Sequence, residues 1–147
     1  MLTAAIISYM GVFPLAYRDI SMQSWKHYLT SNSIDYSGNF SLQYLLSDPI
    51  TVSRWTSQEK LPNDSFSIDN AIILKRSPRW PLMVDPQMQG NNWVKAMEAA
   101  RNLITLKPTQ PFNEISYQLE NAISLGYPVL LENITEQIDQ LFEPVLA

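Results

Sequence analysis

Apolar positions along the chain change their rhythm near Arg79. Before it they recur every three or four residues, the spacing of helices that bury one face. Leu2 to Met10 is apolar nearly all round, which predicts a helix packed between other elements and ended by Gly11. Pro14 suits a first helical turn, so a second helix is predicted from there to about Leu29, with Leu15, Met22, Trp25 and Leu29 near one face. Ser31 to Asn39 is a polar, turn-rich connection. A short helix is predicted over Ser41 to Leu46. Asp48-Pro49 then has the order of a cap followed by proline at the first helical position, opening another helix that holds Trp55. Lys60 to Ser65 reads as a loop. Ser67 to Lys75 fits a helix or an extended segment equally well, and Pro78 disfavours helix at Ser77.

Beyond Arg79, short apolar runs alternate with amphipathic ones. Trp80 to Val84 predicts a strand, and Asn91 to Asn102 a helix with Trp93, Met97 and Ala100 at helical spacing. Leu103 to Leu106 predicts a second strand. Asn113 to Leu125 predicts a helix with Ile115, Leu119, Ala122 and Ile123 on one face and Gly126 as its terminator. Tyr127 to Leu131 predicts a third strand, and Asn133 with Glu136 three residues later suits the cap of a last short helix. Such alternation predicts right-handed βαβ units and a parallel sheet. The expected fold class is α/β, with residues 1–78 as a helical lead-in and 79–147 as a βαβαβ core.

Composition narrows the function. The 147 residues suffice for one domain with a real core, and 46% hydrophobic with 16% charged residues is a globular balance. A net charge of −4 argues against a nucleic-acid partner, since phosphate neutralisation needs clustered Lys and Arg. The absence of cysteine removes thiolate chemistry. Leu2 to Ala16 has no basic lead, is broken by Gly11 and Pro14, and falls short of the ~20 apolar residues a spanning helix needs, so neither a signal peptide nor a membrane partner is expected. Sequons at Asn39, Asn63 and Asn133 read as chance matches. His27 alone makes no histidine-paired metal site and reads as a helix-surface side chain. The tryptophans read as core or interface anchors, Arg76 and Arg79 as a solvated pair, and Asp64 and Asp69 as capping groups.

Candidate chemistry sits between Trp80 and Trp93. A strand, a tight polar turn and a helix N-terminus form the usual architecture for holding a phosphate. Against the pattern G-x-x-x-x-G-K-[ST], the run Asp85, Pro86, Gln87, Met88, Gln89, Gly90, Asn91, Asn92 keeps the spacing and one glycine. The first glycine is Asp85, the lysine is Asn91 and the hydroxyl residue is Asn92. An ordinary strand-to-helix turn has the same appearance. A working nucleotide site also needs an apolar strand ending in two acids, the first supporting Mg²⁺ and the second activating water. Here the strand ends in Glu132-Asn133: Glu132 can still approach a metal, but Asn133 cannot take a proton, and a strand end followed by a helix cap is the plainer reading of the pair. Read as stations of a nucleotide site, both have degenerated in one chain, which favours a former nucleotide-binding module over an active one.

The wording of the block raises its specificity. Arg76–Gln89 (RSPRWPLMVDPQMQ), followed by Asn92–Lys95 (NWVK), closely resembles the dynein heavy chains, in the fifth AAA+ module of their motor ring. Leu61–Ile72 (LPNDSFSIDNAI) and Leu119–Asn133 (LENAISLGYPVLLEN) fit the same module. Trp80 and Trp93 resemble the axonemal heavy chains more than the cytoplasmic one. The resemblance implies an incomplete P-loop NTPase-like (AAA+) parallel sheet in which the family's fourth strand sits between the first and the third. It implies a module that hydrolyses no nucleotide, with a degenerate phosphate loop from Asp85 to Asn92 and a degenerate second station at Glu132 and Asn133. No catalytic residue, metal or cofactor is then expected here, ATP and Mg²⁺ belonging to other modules. The implied partners are neighbouring AAA+ modules and, through the parent motor, microtubules and dynein intermediate and light chains, in the cytoskeleton of the ciliary axoneme. Three roles stay open: a structural and transmission module, a weak regulatory nucleotide binder, and a divergent hydrolase, which Asn91, Asn92 and Asn133 argue against.

Overall fold

Helix α1 (Leu2–Tyr9) runs on as a 3-10 turn over Met10–Val12, so Gly11 lies inside that turn instead of ending the helix. The computed structural model describes residues 1–38, 40–136 and 138–146, which leaves the sequon at Asn39 outside the described residues. Burial of α1 is one-sided. Leu2, Ile6 and Met10 are buried while Tyr9 is 66% exposed, which corrects the expectation of a helix covered all round.

In α2 (Leu15–Ser31), Pro14 is the extended residue before the helix, not part of its first turn. The inward stripe passes through Arg18, Met22, Trp25 and Leu29, and Leu15 faces out. Arg18 is a charge on an apolar face, and it is accommodated by partners. Its guanidinium donates to the Phe13 carbonyl at 2.8 Å and to Asn70 Oδ1 at 2.5 Å, and lies 4.2 Å from the Phe66 ring centroid.

Short helices α3 (Leu42–Leu46) and α4 (Pro49–Ser57) begin as expected, with Ser41 accepting from Tyr44 N at 3.4 Å and Asp48 from Thr51 N at 2.8 Å. Trp55 in α4 is buried. The ambiguous segment is helix α5 (Ser65–Arg76), buried through Ile68, Ala71 and Ile72 and ended before Ser77-Pro78. Asp64 caps it, accepting from Ser67 N at 2.9 Å. Asp69 does not cap: it sits inside α5, half-buried, and burial pushes its carboxyl above the usual range against the pull of Arg18. Arg76 is not simply solvated either, since it donates twice to the Leu46 carbonyl at the end of α3, at 3.0 and 2.7 Å.

Trp80 to Val84 forms no strand. Trp80, Leu82 and Val84 are 68%, 78% and 91% exposed. A strand exists only through its pairing, Pro81 offers no N–H, and no segment among the described residues pairs with it.

The chain divides into two units, Met1–Gln89 and Gly90–Ala147. In the second, α6 (Gln89–Glu98) buries Asn91, Trp93, Val94 and Glu98, whereas Met97 is only half-buried and Ala100 lies exposed in the 3-10 turn that follows. Strand β1 (Ile104–Leu106), helix α7 (Phe112–Leu125) and strand β2 (Val129–Leu131) form one βαβ unit, with the strands parallel and Leu106 opposite Leu131. Gly126 ends α7 at φ +69°, the left-handed conformation that glycine takes without penalty. Leu106, Ile115, Leu119 and Phe142 make the core beneath the sheet. Ile123, expected on the inward face of α7, is 58% exposed. No helix follows Asn133: residues 133–136 are irregular, and the last helix is α8 (Glu143–Leu146).

Candidate functional site

Because β1 and β2 run parallel with Leu106 opposite Leu131, the residues after them leave the sheet side by side. These are Lys107 and Glu132, and the Glu132 N–H donates to the Leu106 carbonyl at 2.9 Å. The carboxyl end of parallel strands is where open α/β sheets bind ligands. Here that place is taken by side chains of the chain itself.

Glu132 is buried, and three groups converge on it. Helix α6 presents Asn91 and Lys95 one turn apart on one face. Asn91 Nδ2 donates to Glu132 Oε1 at 2.6 Å, and Lys95 Nζ lies 2.5 Å from the same oxygen. Lys107 Nζ lies 3.5 Å from Oε2. The Lys95 ammonium first, then the Asn91 amide, hold the Glu132 carboxyl below its ordinary range; burial opposes them and Lys107 adds to them. An ionised carboxylate is thereby kept dry but satisfied, which burial requires of any charge.

The loop before α6 is also closed on itself. Met88 N donates to the Asp85 carbonyl at 3.1 Å, and Gln89 N to Asp85 Oδ1 at 3.0 Å. Met88 takes a left-handed φ of 59° to make the turn. A carboxylate therefore meets an amide at the start of α6, the type of donor that would hold a phosphate oxygen.

Of the residues singled out in the sequence, Asn91 and Glu132 are thus brought together and Asp85 is tied to Gln89. Pro86, Gln87, Met88 and Asn92 are exposed, Gly90 is half-buried in the first turn of α6, and Asn133 is exposed at φ 56°. Lys95 and Lys107 were missed. Both had a signal: Lys95 follows Asn91 by one helical turn, and Lys107 follows its strand as Glu132 follows its own.

A cavity of about 890 Å³ lies beside the strand ends, lined by Leu106, Ile115, Leu131 and Phe142 with Asp139 and Glu143. Among the described residues its lining holds carboxylates and no Lys or Arg, the wrong electrostatics for a polyphosphate. Among the described residues no group of three His, Cys, Asp or Glu side chains could hold a metal ion, and no helix is long and apolar enough to cross a membrane. His27 lies exposed on α2.

Comparison with known proteins gives a consistent set of relatives. The family described as "ATP-binding dynein motor region" matches residues 53–147. Dynein axonemal heavy chain 3 of Mus musculus is 43% identical over 99% of this chain and 4% of its own length. The Dynein-1-beta heavy chain of the flagellar inner arm I1 complex of Chlamydomonas reinhardtii is 40% identical over 100% of this chain and 3% of its own length. Dynein axonemal heavy chain 2 of Homo sapiens is 40% identical over 99% of this chain, again 3% of the relative. The chain therefore spans only a few hundredths of the length of the curated relatives it matches.

Proposed function

Because this chain belongs to the ATP-binding dynein motor region family, we propose that it is a non-catalytic structural and transmission module of an axonemal dynein heavy chain, the fifth AAA+ module of the motor ring. Asp85 to Asn92 is its degenerate phosphate loop, and Glu132-Asn133 its degenerate second acidic station. ATP hydrolysis and Mg²⁺ belong to other modules of the parent. Its direct partners are neighbouring AAA+ modules. Microtubules and the intermediate and light chains are reached through the whole motor, in the ciliary axoneme.

One observation carries the reading. Asn91, at the position of the phosphate-loop lysine, donates its amide to Glu132, at the position of the metal-supporting carboxylate. In a working site those two positions face each other across phosphate and metal. Here they bind each other, so each of the two already has a partner. The weak regulatory reading relies on the start of α6 holding a phosphate, and Asp85 already occupies the Gln89 amide there.

Titration with ATP, with and without Mg²⁺, tests the proposal. Missing charge-assisted contacts are worth roughly 1.5–3 kcal/mol each. A combined loss of about 4 kcal/mol is already a factor of ~10³ in affinity. No binding tighter than millimolar is expected. Micromolar, Mg²⁺-dependent binding would overturn the reading.

A further inference from the structure

We infer that the Lys95–Lys107 pair is a latent site for a phosphate group, and that the Glu132 carboxylate is the internal anion that keeps it closed. The inference rests on the proposed non-catalytic role and adds the residue that enforces it. Two ammonium groups, on α6 and directly after β1, point at the two oxygens of one carboxylate, at 2.5 and 3.5 Å. The carboxylate is buried, whereas the lysine side chains are 41% and 49% exposed. Both cations are therefore open to solvent on one side and held by an anion on the other. A phosphate group carries about 1.5 to 2 negative charges near neutral pH and offers three acceptor oxygens. It would satisfy both lysines better than one carboxylate does. With Glu132 in place, an arriving phosphate meets a fixed like charge and an already neutralised ammonium. On this view the missing phosphate-loop lysine is only part of the reason for silence, and Glu132 closes what remains.

The Asn91 contact makes Glu132→Gln a clean test. A glutamine retains an Oε1 that accepts from Asn91 Nδ2, and the lysines, each about half exposed, are not stranded without water. The full chain and its Glu132→Gln variant are titrated with inorganic phosphate and, separately, with ATP, both without metal. The parent is expected to bind neither more tightly than millimolar. The variant is expected to bind phosphate at least about tenfold more tightly than the parent. That binding should weaken as salt rises and disappear when Lys95→Met or Lys107→Met is added. Tighter binding of ATP than of phosphate would assign the site to the terminal group of a nucleotide, and equal binding to free phosphate; both support the inference. A folded Glu132→Gln variant with the parent's phosphate affinity would overturn it. If that variant unfolds, Glu132→Asn, shorter by one methylene, carries the same comparison. Unfolding of both neutral variants that millimolar phosphate does not reverse would overturn it too. Binding of phosphate or ATP by the parent chain more tightly than millimolar would instead refute the proposed function, so the two failures are distinguishable.

Discussion

Replacing Asn91 by alanine probes the contact on which the functional reading depends. The amide donates to an ionised acceptor at 2.6 Å, and both residues are buried. Hydrogen bonds to charged groups are worth roughly 1.5–3 kcal/mol, against about 1 kcal/mol for neutral ones. Lys95 and Lys107 remain in the variant and still screen the carboxylate, which keeps the loss toward the lower end of that range. Asn91→Ala is therefore expected to cost about 2 kcal/mol of folding free energy. The neighbouring Asn92 is exposed, and Asn92→Ala should stay within about 0.5 kcal/mol. Urea unfolding measures both, with an unchanged m value showing that the denatured state has not altered. A double-mutant cycle with Glu132→Gln isolates the pair. The charged bond becomes a neutral one, so the coupling energy should be about 1 kcal/mol. If Asn91→Ala behaved like Asn92→Ala and the cycle closed without coupling, the two positions would be neighbours without an energetic link.

Acid should act through the same cluster. The Glu132 carboxyl is held below its ordinary value by Lys95 and Asn91, so its contribution to stability is complete above the unfolded-state value and lost as pH falls through the folded one. Asp69 has the opposite sign, since burial raises it and protonation relieves that cost. The measurement is melting temperature against pH for the parent and for Glu132→Gln; the parent should lose stability faster below the usual carboxylate range, and parallel curves would refute the assignment. Packing gives a second contrast. Trp93 is 2% exposed, and Trp93→Ala should cost about 3–5 kcal/mol through lost burial and an unfilled cavity, whereas Gln87→Ala on the exposed turn should stay within about 0.5 kcal/mol. Chemical denaturation of both variants checks this, and a larger effect at Gln87 than at Trp93 would mark the loop as a working element.

Much of this was legible because it is local. Asp48, Pro49 and Gly126 act on backbone within a turn of themselves, so the boundaries they set at α4 and α7 could be read directly, whereas at α5 the capping role of Asp64 was legible but the helix itself was not separable from an extended segment. The parallel pairing of β1 with β2 followed from strand–helix–strand alternation, and the structure has it. Arg18 was not legible. It occupies an inward position of α2 because Asn70 and Phe66, on α5, complete its coordination, and nothing in the spacing of α2 announces partners so distant in sequence. The Asn133–Glu136 cap failed for a related reason. Asn133 takes a left-handed φ directly after the sheet, and a left-handed residue there does not open a helix.

Trp80 to Val84 and Glu132 illustrate one rule from opposite sides. Apolar alternation states what a segment can do if a neighbour is present, and charge states what a side chain must find if it is buried. Trp80 to Val84 has the composition of a strand but no pairing partner among the described residues, so it remains exposed. Glu132 has the composition of a metal-supporting acid but finds two lysines and an amide within its own unit, so its charge is satisfied internally. Asn91 and Glu132, read in the sequence as parts of two separate stations, are in contact, and an asparagine can donate to the carboxylate without adding a third cation beside Lys95 and Lys107. An asparagine at 91 and an acid at 132 are then a matched pair: a lysine at 91 would place three ammonium groups around one carboxylate and leave the cluster over-charged.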